Sequence, residues 1–116
     1  METIKALDAV ILIVKDIEKQ KRFYRDILGL AVLEDYGDCV FFRVGSQKLA
    51  LFTRDHHPQG TARLEGASKG ISHLEFRIAR KDDAPLKRRL NDAGHHAYEE
   101  NFEDADGNLF HFNSDE

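Results

Sequence analysis

The same order of elements can be read twice along this chain, and few folds accommodate such a repeat. Residues 7–14 (LDAVILIV) form an apolar run of strand length. Asp16 suits a helix N-cap, and the spacing predicts a helix over 17–28. Phe23, Tyr24, Ile27 and Leu28 share one side of it, and Gly29 fits its left-handed end. Strands are expected at 30–36, 38–45 and 47–53, broken at Gly37 and at Gly45-Ser46. The second half opens with a strand at 71–78. A helix capped by Asp83 follows, with Pro85 in its first turn, an apolar stripe of Leu86, Leu90 and Ala93, and Gly94 closing it. Three short strands are expected at 95–100, 101–104 and 108–114.

Superposing the halves sets Ala9 against His73, Gly29 against Gly94 and Ala50 against His111. The fold class read from this is α+β, with two βαβββ modules forming a curved mixed sheet around a concave cavity. A single domain covers 1–116, with modules at about 6–53 and 71–114 and a linker over 54–70. The linker (RDHHPQGTARLEGASKG) is polar, Gly-rich and long for a connection in a compact domain, which reads as a lid or a mobile segment.

Strand alternation sorts the side chains. Leu74, Phe76 and Ile78 should pack under a helix, while His73, Glu75 and Arg77 face the other way. Phe110 and Phe112 should pack inward, and Leu109, His111 and Asn113 oppose them. Ala9, Ile11, Ile13, Ala50 and Phe52 line the matching surface of the first half, making the cavity greasy there and polar in the second half. Asp106-Gly107, before the last strand, reads as a two-residue hairpin turn.

Two strand histidines facing one cavity suggest a metal or acid–base site. His73 and His111 would supply two imidazole ligands, and Glu75, on the same face as His73, a third ligand or a proton shuttle. Arg77 is a candidate anion anchor, with a salt bridge to Glu75 as the plain alternative. Phe52 and Asn113 are further substrate-binding candidates, a core aromatic being the plain reading of Phe52. The pairs His56-His57 and His95-His96 read as solvated loop histidines, because neighbours on a strand point to opposite faces. The acidic run Glu99-Glu100-Glu103-Asp104 reads as a solvated hairpin, and Cys39 as a buried inert thiol.

A net charge of −4 argues against nucleic acid as the main partner. The sequence carries one cysteine, so neither an intrachain disulfide nor a thiolate cluster is expected. Without a signal-peptide pattern or an apolar run of spanning length, no membrane is expected as a partner and a cytoplasmic location follows by default.

Four segments carry a family resemblance: Leu7-Asp8-Ala9-Val10, Val14-Lys15-Asp16-Ile17-Glu18, Phe23-Tyr24-Arg25-Asp26-Ile27-Leu28-Gly29-Leu30 and Asp104-Ala105-Asp106-Gly107-Asn108-Leu109. In this order and spacing the chain resembles the vicinal oxygen chelate superfamily of glyoxalases, extradiol dioxygenases, fosfomycin-modifying thiol transferases, methylmalonyl-CoA epimerases and bleomycin-binding proteins. The resemblance implies a divalent metal (Zn, Ni, Fe or Mn) in the cavity, held from the first and last strands of each half. His73 falls on one such position, and His111 on one where the family usually has a glutamate. Ala9 and Ala50 take the places of the first-half ligands. It implies a glyoxalase- or dioxygenase-like protein: a metal-dependent lyase, isomerase or dioxygenase for a small oxygenated substrate. The alternative is a metal-free protein that sequesters a small molecule, as bleomycin-binding members do. It also implies a homodimer.

Overall fold

The computed structural model describes residues 6–65 and 73–114. The first module runs β1 (Ala9–Val14), α1 (Ile17–Arg22) continuing as a π-helical turn (Phe23–Ile27), then β2 (Ala31–Asp35), β3 (Cys39–Val44) and β4 (Gln47–Thr53). A short helix, α2 (Pro58–Leu64), lies between the modules. The second module contains β5 (Leu74–Ile78), α3 (Arg80–Asp92), β6 (Phe102–Glu103) and β7 (Leu109–Ser114). The architecture is α+β, with two open mixed sheets ordered β1-β4-β3-β2 and β5-β7-β6. No helix among the described residues is long and apolar enough to cross a membrane.

The start of the first helix follows from its sequence. The Asp16 side chain accepts a hydrogen bond from Lys19 N (3.0 Å), satisfying one of the orphan donors of the first turn. Its end widens: Leu28 N donates to Phe23 O (3.1 Å), an i→i−5 bond, and Leu30 N to Tyr24 O (2.9 Å). The extra residue in this turn lets the consecutive Phe23 and Tyr24 both enter the core. Burying each ring stabilises the fold by roughly 1.5–3 kcal/mol. Gly29, at φ +75°, then reverses the chain.

Phe23, Tyr24, Leu12, Val14, Val40, Phe42, Leu49 and Leu51 of the first module form one core with Leu90, Phe102 and Phe110 of the second. Leu74, Phe76 and Phe112 pack against it, which places the opposite faces of β5 and β7 away from the core.

The registers support the internal repeat. β1 pairs parallel with β4, setting Ile11 beside Ala50. β5 pairs parallel with β7, setting Glu75 beside His111. The same backbone device thus carries Ala9, Ile11 and Ala50 in one half and His73, Glu75 and His111 in the other.

Several expectations fail in the second half. The helix begins at Arg80, with Ala79 at its N-cap, and Pro85 falls in its second turn. Asp83 does not cap it; its carboxylate pairs with Lys87 one turn on (3.1 Å). Ala93 is exposed, so the buried contact of this helix narrows to Leu90 with half-buried Leu86. The strand expected at 95–100 is reduced to a bridge between Tyr98 and Asn101 around the exposed Glu99-Glu100 turn, with Glu99 at φ +58°. That segment carries no apolar side chain that finds cover, Tyr98 being 80% exposed. The loop before β7 spans five residues, 104–108, rather than two. Residues 71 and 72 of the expected strand, and 66–70 of the linker, lie outside the described residues.

Candidate functional site

β5 and β7 lie side by side, and alternation turns Glu75, Arg77, His111 and Asn113 onto the face opposite Leu74, Phe76, Phe110 and Phe112. His73, just before β5, joins them. Its Nε2 donates to Glu75 Oε2 (2.7 Å), and His111 Nε2 lies 3.3 Å from Glu75 Oε1. The two imidazoles stack with ring centroids 5.1 Å apart and planes 29° apart. One ligand atom from each of His73, Glu75 and His111 lies within 4.8 Å of the others. The expected pairing of the two histidines is therefore present, with Glu75 as the bridge between them.

Asn113 anchors the carboxylate from the next register step, its Nδ2 donating to Glu75 Oε1 (2.9 Å). That bond, the His73 bond, and the positive potential of His111 and His73 hold the Glu75 carboxyl at about 2, well below the usual carboxylate range. Glu75 is therefore anionic throughout the neutral range, which suits a cation ligand. Arg77 is exposed on the same strand, in register with Asn113.

In the first half, Ile11, Ile13 and Phe52 line an apolar cavity of about 270 Å³ together with His57, Gly60 and Leu64. The last three belong to α2 and the residue just before it, so the linker contributes a wall to the greasy surface. Phe52 faces this cavity and meets His56 edge-on (centroids 4.6 Å). Ala50 is fully buried.

Two readings of polar residues need correction. The four loop histidines are engaged rather than merely solvated. His56 Nδ1 bonds Asp38 Oδ2 (2.9 Å), and His57 Nδ1 accepts from Gly60 N (2.8 Å). His95 packs on Phe23 (4.6 Å) with Nδ1 3.1 Å from Glu103 O, and His96 Nδ1 lies 3.2 Å from Asn91 Oδ1. Asp104 is not part of a solvated hairpin but is buried. Its Oδ2 accepts from Gln20 Nε2 (2.8 Å), Tyr24 Oη (2.7 Å) and Asn108 Nδ2 (2.9 Å). Its Oδ1 accepts from Asp106 N and Asn108 N, both at 2.9 Å. Burial and the adjacent Asp104 charge raise the Tyr24 pKa, keeping the phenol a donor. The hub ties the loop that launches β7, and hence His111, to the first helix. The signal in the sequence is an Asp whose side chain can close an Asx turn onto the Asp106-Gly107-Asn108 loop.

The comparisons with known proteins agree with this architecture. The sequence profile of the Glyoxalase/Bleomycin resistance protein/Dioxygenase superfamily matches residues 6–112, and the chain belongs to that family. Among solved structures, lactoylglutathione lyase from Agrobacterium tumefaciens superposes with a TM-score of 0.66 at 20% identity, covering 97% of this chain and 96% of that one. The fosfomycin resistance protein FosX from Listeria monocytogenes superposes at 0.74 with 20% identity, covering 98% and 94%. A mutant of that FosX has been solved with Mn(II) and a dihydroxypropylphosphonic acid; it superposes at 0.72 with 21% identity, covering 95% and 92%. At these identities the likeness concerns the fold. No curated protein sequence matches the chain significantly.

Proposed function

We propose that this chain is a metal-dependent enzyme of its superfamily, acting on a small oxygenated substrate as a lyase, isomerase or dioxygenase. The observation that carries the reading is the convergence of His73, Glu75 and His111 within 4.8 Å. Two imidazoles and a carboxylate are a donor set suited to Fe, Mn, Ni or Zn, with positions left for substrate. A divalent metal there would supply Lewis acidity to a substrate oxygen. The remaining roles fall to the chain itself. Asn113 fixes the Glu75 carboxylate, so that it meets a cation without reorganising. Phe52, Ile11 and Ile13 would hold the apolar part of a ligand. Arg77 would meet a carboxylate or phosphonate group. Glu75 serves better as a ligand than as a proton shuttle, because a carboxyl held at about 2 is a weak base at neutral pH.

The second reading, a metal-free sequestering protein, is favoured by Ala9, Ile11 and Ala50 on the first module's counterpart positions and by the apolar cavity beside them. In either case we propose a cytoplasmic homodimer. Light scattering at one chain mass would refute the dimer.

Elemental mass spectrometry on untagged protein tests the choice. Wild type should carry one equivalent of transition metal more than the His73→Ala/His111→Ala variant. Equal metal content in the two, before and after incubation with zinc, nickel, iron or manganese, would overturn the enzyme reading in favour of sequestration.

A further inference from the structure

A second convergence of ligand types joins the first module to the start of the linker and shares no residue with the His73–Glu75–His111 centre. Asp38, Cys39 and His56 each offer one ligand atom, and these atoms lie within 4.8 Å of one another. Asp38 and Cys39 stand at the entry to β3, and His56 follows the end of β4. The backbone pins all three. Thr53 N donates to Asp38 O (3.0 Å), while His56 N donates to Thr53 O and to Thr53 Oγ1 (both 3.2 Å). Tyr36 N donates to Cys39 O (2.9 Å). One residue, Thr53, therefore clamps the chain segments that carry Asp38 and His56. The imidazole is further set by Phe52, whose ring meets it edge-on.

We propose that Asp38, Cys39 and His56 bind Zn²⁺, or a transition dication of similar softness, through one thiolate, one imidazole and one carboxylate. This set of three protein ligands suits zinc, with Zn–S near ~2.3 Å and Zn–N and Zn–O near ~2.0–2.2 Å. Donors around such an ion stand roughly 3.5 Å apart, so the present spacing requires side-chain shifts of about 1 Å. The surroundings favour a cation. Burial, then the charges of Asp38, Glu34 and Asp35, keep the Cys39 thiol protonated in the free protein. Those same carboxylates attract a dication, whose binding displaces the thiol proton. Cys39 is 5% exposed, so access is from the side of Asp38 and His56, both of which reach solvent.

The ion would also have a structural consequence. His56 lies two residues before α2, which with His57 walls the apolar cavity of Ile11, Ile13 and Phe52. Zinc would thus fasten the start of the linker onto β3 and hold that wall in place. The site does not depend on the metal reading of His73 and His111.

Cobalt(II) provides the test, because a cobalt–thiolate bond gives an intense near-ultraviolet charge-transfer band that nitrogen and oxygen ligands do not. Cys39 is the single cysteine of the sequence, so such a band reports this site and not the histidine pair. Wild type titrated with Co²⁺ should develop the band to saturation near one equivalent, and zinc should abolish it. Cys39→Ser should lack it, and His56→Ala should need at least tenfold more cobalt to reach it. His73→Ala/His111→Ala should retain it in full. Hydrogen exchange over residues 54–65 should slow on adding zinc to wild type and not to Cys39→Ser, with circular dichroism showing both folded. No charge-transfer band up to millimolar cobalt, or a band unchanged in both His56→Ala and Asp38→Asn, would overturn the assignment.

Discussion

Replacing Asp104 gives a sharp test of how this fold is held together. In Asp104→Ala, the side-chain donors of Gln20, Tyr24 and Asn108 lose their common acceptor inside the protein, and two backbone N–H groups of the turn lose theirs. A buried donor left without a partner costs about 1–3 kcal/mol, so the three side chains set a range of roughly 3–9 kcal/mol. Water entering the space vacated by the carboxylate will recover part of this, and we expect about 4 kcal/mol. For a chain of this size, that corresponds to a fall in Tm of roughly 15–20 °C. Asp104→Asn should cost less, about 2–3 kcal/mol, because one oxygen remains for the turn amides and the new amide can donate to the otherwise unpartnered Gln20 Oε1. Tyr24→Phe removes one of three donors to Oδ2 and should cost about 1–2 kcal/mol. Because they share one carboxylate, Tyr24→Phe and Asp104→Ala should couple by at least ~0.5 kcal/mol in a double-mutant cycle. Urea unfolding followed by circular dichroism reads the four variants, the double included, against wild type. An Asp104→Ala variant within about 1 kcal/mol of wild type, at unchanged m, would refute the idea that this hub holds the β7 loop to the first helix.

Three further outcomes are expected. The Glu75 carboxyl is depressed from 4.5 to about 2, so the native state favours its ionised form. The associated stability should be complete above about pH 4.5 and lost as the pH falls toward 2, and carboxyl NMR finding an ordinary Glu75 titration would contradict the cluster geometry. Asn113→Ala should weaken metal binding at the histidine centre about 10–100-fold with only a small loss of thermal stability near neutral pH, as read by metal titration beside a melt; an unaltered affinity would remove Asn113 as a positioning residue. Gly29→Ala should destabilise by about 1–2 kcal/mol through its positive φ of +75° rather than through crowding, since the nearest side-chain atom to an added Cβ would be 3.8 Å away. A stability equal to wild type in urea would speak against that backbone strain.

What the sequence made legible was whatever local pattern decides. Asp16 caps the first helix because its neighbours supply the donors, and the alternation in LEFRI and LFHFNS turned Glu75, His111 and Asn113 to one side of a sheet, where His73 joins them from just before β5. What stayed hidden depends on contacts between distant segments. Asp104 reads as one more acid in an acidic run until Gln20 and Tyr24, more than two-thirds of the chain away, are brought to it. Asp38 and His56 meet only because β3 and β4 pair, which the spacing between them does not announce. The helix over Pro58–Leu64 lay unseen because Gly and Pro in that stretch read as a loop; Leu64 and Gly60 belong to it through the apolar cavity they wall.

The repeat explains why the His73–Glu75–His111 cluster and the greasy surface of Ile11, Ile13 and Phe52 fall in different halves. Both modules set a first strand parallel to a last one, and in both the register joins the third residue of the motif to the strand opposite: Ile11 to Ala50, Glu75 to His111. On such a scaffold, three side-chain identities decide what each half can hold. His73, Glu75 and His111 offer a cation three donors, whereas Ala9, Ile11 and Ala50 offer none. A substrate needs both properties, polar groups that fix its reacting atoms and apolar area that gives it affinity. The absence of donors at Ala9, Ile11 and Ala50 is therefore compatible with catalysis provided the second module supplies a complete donor set by itself. Glu75 is the residue on which that condition rests. Glu75→Gln keeps the shape of the site but removes the anionic ligand. If the variant still binds metal at the histidine centre with wild-type affinity, the second module is not the complete donor set, and the alanines of the first module become the stronger guide to what this protein does.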